Sequence, residues 1–221
     1  MERYVLHAEK EIIEETFKVY SASESLFESS YNIFPGSPMP IVYSETGNKI
    51  KSAVWGIKEK EVITNLSKKD VEEETRWIEQ LELKPCIIPA SGFYLWKQSV
   101  DDNYPFYIRM LEREVLGLAG LYRSKKEKNG NLRLEFAVIT KVSNVLLQPL
   151  EPTMPCILDP ENFEQWILGN ERTVLQSQFK DTELIPELAV YRVPKLVNDL
   201  ANNSKELIQA IPKLREDDKG L

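Results

Sequence analysis

Five apolar runs follow one another through the middle of this chain, and they constrain its fold more than any other feature. They occupy residues 85–89, 92–97, 105–111, 115–122 and 132–140. Each is short and rich in β-branched or aromatic residues, with polar breaks at Val100-Asp101-Asp102-Asn103 and at 125–130, the latter a long hairpin loop. Such runs predict strands. Around them, residues 4–8 read as a further strand, and 9–19 as an acidic amphipathic helix with Ile12, Ile13, Phe17 and Val19 on one face. Residues 31–40 hold three prolines and a glycine, so this stretch is extended or turning, since Pro lacks the N–H that a ladder needs. Residues 41–43 and 49–55 form a hairpin around Glu45-Thr46-Gly47-Asn48. A helix is expected over 69–81 with Trp77, Ile78 and Leu81 as its stripe. Then come a short strand at 155–158, a helix opened by Asp159-Pro160-Glu161, a strand at 189–193 and a weakly helical end. Strands and helices intermix without βαβ alternation, which predicts an α+β fold. One domain is expected over 1–212, followed by a frayed tail at 213–221.

Charge and composition narrow the function. Lys+Arg 28 against Asp+Glu 35 leaves a net charge of −7, which repels polyanions unless the cations are gathered into one groove. Cys86 and Cys156 lie far apart in apolar runs, with no Cys/His cluster beside them, so they read as small buried hydrophobes. No metal or cofactor is expected. His7, the sole histidine, reads as a strand residue without catalytic duty. The acidic runs 72–74 and 216–218 read as solvated faces, and Lys125 to Lys128 as a solubilising loop. No 18 apolar residues run together and no secretory h-region opens the chain, so the expectation is a cytoplasmic protein without a membrane partner.

At Gly92-Phe93-Tyr94-Leu95-Trp96 the sequence resembles a known family. Cys86-Ile87-Ile88-Pro89-Ala90, Tyr31-Asn32-Ile33-Phe34-Pro35, Trp55-Gly56, Leu118-Ala119-Gly120-Leu121-Tyr122, Met154-Pro155-Cys156-Ile157-Leu158 and Val197-Asn198 fall in the same order as pieces of the SOS-response-associated peptidase (SRAP) family. The resemblance spans roughly residues 3–212. It implies a single-domain α+β fold with an open, barrel-like mixed sheet and flanking helices, a groove for single-stranded DNA, and covalent capture of abasic sites. In that chemistry a terminal cysteine offers amine and thiol together to the sugar aldehyde, closing a thiazolidine. A glutamate and a histidine act as acid and base, and an asparagine positions the sugar.

The sequence departs from this pattern at nearly every reactive position. Aligned on Arg3, Met1 stands at the cysteine, and aligned on the starts Glu2 does, so either way the thiol is absent; Leu95 stands at the glutamate, Glu151 at the histidine and Thr153 at a phosphate-contacting arginine. Asn65 has the spacing to Cys86 of the family asparagine, although Ser67 and Lys69 replace the arginine and glutamate after it. Asn65 and Glu151 are therefore the candidate catalytic residues, and Arg3, Asn32, Pro35 and Trp55 the candidate DNA-binding ones. Asn32 and Pro35 shape the loop beside the reactive terminus, while Trp55 either lines the groove or packs in the core. Losing two phosphate-binding arginines lowers the salt slope of binding by about two units at most, and an absent acid or base costs ~10²–10⁴-fold in rate. The resulting expectation is a catalytically impaired, monomeric member with weak affinity for single-stranded DNA carrying abasic sites. Two alternatives stand beside it: a non-enzymatic structural or protein-interaction domain that keeps only the fold, and a residual abasic-site enzyme working through the terminal amine with Asn65 and Glu151.

Overall fold

All five central runs are strands in the computed structural model, which describes residues 1–73, 79–98, 103–128, 130–169 and 187–212. Along the chain the strands are β1 (Arg3–Leu6), β2 (Ser30–Ile33), β3 (Pro38–Ser44), β4 (Asn48–Trp55), β5 (Ile57–Lys58), β6 (Val62–Ile63), β7 (Asn65–Ser67), β8 (Lys84–Ala90), β9 (Gly92–Gln98), β10 (Asn103–Met110), β11 (Leu116–Lys126), β12 (Leu132–Val142), β13 (Thr153–Pro155), β14 (Ile157–Leu158) and β15 (Leu188–Arg192). Helices are few and short: α1 (Lys10–Phe17), α2 (Lys68–Glu73) and α3 (Phe163–Ile167), with single 3-10 turns that include Lys195–Asn198 and Lys205–Ile208.

The α+β class and the barrel-like mixed sheet are both present, and the barrel closes. Its strands run β12-β4-β3-β8-β11, and β11 pairs back onto β12 over Gly120 to Lys126. The β4–β12 contact is parallel and covers only Val54 and Trp55 against Glu135 and Phe136. A second, antiparallel sheet, β15-β10-β9-β1-β2, packs one face on the barrel. Alternation along β1 shows how: Tyr4 and Leu6 enter the main core with Phe93, Leu95 and Ile108, whereas Val5 enters a smaller core with Tyr94, Tyr107, Val193, Val197 and Leu207. The C-terminal turns supply that second cover. Strands covered on both faces read as continuous apolar runs, which is why these were visible in the sequence.

Gly92 sets the approach of β9 to β10. A Cβ there would lie 2.5 Å from the Ile108 carbonyl oxygen and from the Tyr107 ring, so no side chain fits.

Several details differ from expectation. Lys125 and Lys126 belong to strand β11 rather than to a loop, and Lys125 Nζ donates to the Lys58 carbonyl. The expected strand at 155–158 is two pieces, because the chain switches partners: Pro155 pairs with Thr140 of β12, and Ile157 with Leu118 of β11. Between them Cys156 bridges both, its N–H to the Ile139 carbonyl and its own carbonyl to the Ala119 N–H. The helix expected over 69–81 is described over Lys68–Glu73; Trp77 and Ile78 lie outside the described residues, as does the tail at 213–221. No helix among the described residues is long and apolar enough to cross a membrane.

Candidate functional site

The first residue of the chain meets β7, which pairs with barrel strand β12. Parallel pairing of β7 with β12 sets Asn65 opposite Val138, and Asn65 Nδ2 donates to the Met1 carbonyl at 2.9 Å. Its Oδ1 is buried and has no hydrogen-bond partner among the described residues. Thr64, just before it, is fixed from two sides: its carbonyl takes the Val138 N–H at 3.0 Å and the Trp55 indole N–H at 2.9 Å.

Trp55 thus lies behind the site rather than in it. It is fully buried between Phe136, stacked at 6.3 Å, and Tyr4, edge-on at 5.3 Å, which leaves no surface for a base to stack on. Its backbone also holds the bordering loop, where Gly36 N–H donates to the Trp55 carbonyl and Trp55 N–H to the Ser37 carbonyl. That tight turn needs the left-handed conformation of Gly36, φ +99°. Pro35, exposed at its tip, lines a cleft of about 400 Å³ with Met1, Arg3, Phe34, Asn65 and Leu200.

On the facing side β1 stops short of β9's full length. The ladder from Arg3 to Val5 leaves the Trp96 N–H without a β1 partner, and Glu151 Oε1 accepts it at 3.1 Å. Glu151 is close enough to the Met1 α-amine for each to shift the other. Burial raises the Glu151 carboxyl above its ordinary pKa, against the Trp96 N–H and the amine, which lower it. Burial likewise lowers the amine below its ordinary value, against the pull of Glu151 and Glu2. Leu95 is fully buried in the main core and sends nothing into the cleft.

Arg3 and Asn32 are tied into the fold. Arg3 Nη1 donates to Asn32 Oδ1 at 2.9 Å and to the Val197 carbonyl at 2.7 Å, with its guanidinium 6.0 Å from the Phe34 ring centroid and 5.8 Å from that of Trp96. Asn32 is buried, and its Nδ2 reaches the carbonyls of Val197, Asp199 and Asn202. Its amide is spent on the C-terminal segment, so it holds Arg3 and leaves no group for DNA. His7 lies just past β1, its ring stacked on Tyr31, and does not line the cleft. Both cysteines are buried.

Asn65, Glu151, Arg3 and Pro35 therefore gather around the first residues, while Trp55 and Asn32 support them from within. Sequence reasoning missed the part of Trp96, whose backbone holds Glu151 and whose indole donates to Asn198 Oδ1 at 2.8 Å. The Val197-Asn198 dipeptide was the available signal. A larger groove of about 790 Å³, over Tyr43 and Tyr122, shares no lining residue with this cleft.

The chain is 28% identical to the abasic site processing protein YoqW of Bacillus subtilis over 94% of its own length and 98% of the relative's. It is 26% identical to the abasic site processing protein YMR114C of Saccharomyces cerevisiae, covering 92% of this chain and 58% of that one. A crystal structure of a protein from Bacteroides thetaiotaomicron superposes with a TM-score of 0.80 at 18% identity, over 96% of this chain and all of the other, and shares its fold. The family model for the SOS response associated peptidases matches residues 2–200. With nine-tenths of its length inside that match, the chain belongs to the SOS response associated peptidase (SRAP) family.

Proposed function

We propose that this protein binds single-stranded DNA at abasic sites weakly, and that it is impaired in covalent capture. One observation carries the reading: the cleft lined by Met1 and Asn65 contains no thiol, since both cysteines are buried elsewhere, and no carboxylate from β9, since Leu95 is in the core; Glu151 acts on the Met1 amine without lining that cleft. The names of the relatives support DNA with abasic sites as the substrate class. A monomer in the cytoplasm belongs to the same proposal. The test is incubation with a single-stranded oligonucleotide bearing one abasic site, followed by a denaturing gel. No band survives boiling; a heat-stable adduct overturns the impairment.

The closeness of the Met1 amine to Glu151 favours a second, weaker activity at the same place. An amine whose pKa is lowered is more often neutral and nucleophilic near pH 7. Its nitrogen attacks C1′ of the ring-opened sugar, Glu151 gives a proton to the departing hydroxyl, water leaves and an imine remains. Without a thiol the imine hydrolyses back to amine and aldehyde. Borohydride, which reduces an imine to a secondary amine, makes the adduct permanent, and mass spectrometry then finds it on Met1. An adduct on a lysine instead rules this reading out.

A further inference from the structure

The barrel closes over a short seam, and ahead of that seam two strand edges face each other unpaired. Strand β4 meets β12 only at Val54 and Trp55, whereas its ladder to β3 runs on from Val54 back to Asn48. Main-chain groups of successive strand residues point to opposite edges. Trp55 turns its N–H to the Ser37 carbonyl and its carbonyl to the Gly36 N–H, on the β3 side. Alternation along this unbroken register turns Ser52 to the β12 side, where no strand among the described residues receives it. Pro40 stands opposite Ser52 and Pro38 opposite Val54, so the residues of β3 that lack an N–H face the positions that require none. On β12 the Phe136 carbonyl takes the Gly56 N–H. The same alternation turns Leu132, at the start of that strand, to the gap from the other side. Ser52 and Leu132 are both exposed, and both line the groove of about 790 Å³ whose floor holds Tyr43 and Tyr122, their rings 4.9 Å apart.

We propose that the gap between Ser52 and Leu132 takes an extended, acidic peptide of a partner protein as an additional strand. Unpaired N–H and C=O groups along a strand edge are matched by the main chain of another strand, and a groove open between two such edges offers them from both sides. Charge selects which strand enters. Glu45 accepts from Lys49, and Lys51 and Lys84 stand near enough to act on the same carboxylate, so three ammonium groups share one acid. Glu127 faces Arg133 at 3.7 Å, and Glu82 is the other acid of the lining. Around the groove four cations thus meet three acids, in a chain whose net charge is −7. Lysines beside an open edge repel a second copy of that edge, which is how sheets avoid pairing with themselves, and they attract a strand that carries carboxylates.

The test is fluorescence anisotropy of the full chain with a labelled eight-residue peptide of alternating glutamate and valine. A peptide of alternating lysine and valine is the charge control, and the glutamate peptide N-methylated at every residue is the main-chain control. The glutamate peptide binds, and both controls bind at least about tenfold more weakly. Ser52→Pro removes the N–H that faces the gap and spares the ladder to β3, so it weakens the glutamate peptide by at least about tenfold, whereas Ser52→Ala leaves it unchanged. Lys51→Glu weakens the glutamate peptide and strengthens the lysine one. Circular dichroism confirms that each variant is folded. Absence of binding by the unaltered protein up to about 1 mM peptide overturns the proposal, and so does a folded Ser52→Pro protein that binds as the parent does. Equal binding of either control peptide overturns it as well. Displacement of the glutamate peptide by oligo(dT) also overturns it, since the groove is then a surface for nucleic acid.

Discussion

Replacing Asn32 by alanine tests whether the C-terminal turns are held to the β1–β2 edge by one buried amide. Asn32 accepts from Arg3 at 2.9 Å and donates toward the carbonyls of Val197, Asp199 and Asn202 at 3.2, 3.0 and 3.0 Å. Removing it strips four polar groups of a partner. Only the Val197 contact is deeply buried, so water replaces part of the loss at the others. At about 1 kcal/mol per net hydrogen bond, less that solvent share, Asn32→Ala costs about 3 kcal/mol. For a domain of this size that lowers Tm by roughly 6–12 °C. Asn32→Asp separates two causes. It keeps the acceptor for Arg3 and adds a charge for it, but it turns a carboxylate oxygen onto three carbonyl oxygens. If the carbonyl contacts dominate, the aspartate variant is no more stable than the alanine one. Urea denaturation gives the energies, and hydrogen exchange shows faster exchange at Asp199 and Asn202, whose N–H groups close the turns at 3.2 Å each. A loss below about 1 kcal/mol in Asn32→Ala, or an aspartate variant as stable as the parent, refutes the reasoning.

Glu151 gives a pH signature. Burial raises its folded pKa above the unfolded value, so the folded state holds the proton more tightly, and stability falls as pH rises through the unfolded carboxyl pKa toward the folded one. Glu151→Gln keeps an acceptor for the Trp96 N–H and removes this decline, so its Tm rises relative to the parent between pH 4 and 6; a constant difference argues against the burial. Arg123 pairs with Glu135, itself 1% exposed, at 3.0 and 3.2 Å near the β4–β12 seam. Arg123→Leu leaves that carboxylate with the Lys58 N–H at 3.2 Å and Arg133 at 3.9 Å and costs about 3 kcal/mol by urea denaturation, whereas Arg123→Met with Glu135→Leu recovers most of it; equal losses in both contradict the account.

The strands were legible because apolar runs are a local property, but the expected barrel-like sheet was open, and its closure through the β11–β12 pairing was not written in those runs. Partner choice was not local. The switch at Cys156 leaves no mark in 155–158, because a strand that changes neighbours keeps the same residue types. Trp55 beside Gly56 gave no sign of which face it presents, and it turned out to be fully buried. Asn65 was visible through its spacing to Cys86 alone, yet its contact with Met1 joins residues 64 apart, and that of Arg3 with Val197 joins residues 194 apart.

Leu95 shows how a fold of this kind is held independently of any chemistry in its cleft. The supporting groups, Trp55 on the Thr64 carbonyl and Asn32 on three others, bind backbone and so do not depend on what the cleft reacts with. At Leu95, opposite Phe106 in the β9–β10 ladder, an apolar side chain fully out of water stabilises the sheet-to-barrel contact by about 1.5–3 kcal/mol. A glutamate in that place faces the opposite sign, since a carboxylate buried without a partner is costly unless it takes up a proton. Leu95→Glu therefore destabilises the protein at pH 7 by more than Leu95→Gln does. The gap narrows on acidification, because the raised folded pKa of a buried carboxyl makes stability fall as pH rises. On the proposed reading, introducing Cys, Glu and His for capture then requires the neighbours of residue 95 to open a path to the cleft. Thermal melts of the two variants at pH 4.5 and 7 decide the matter: a Leu95→Glu protein as stable as Leu95→Gln at pH 7 would mean that this side chain reaches water, and that the missing acid can be put back by a single substitution.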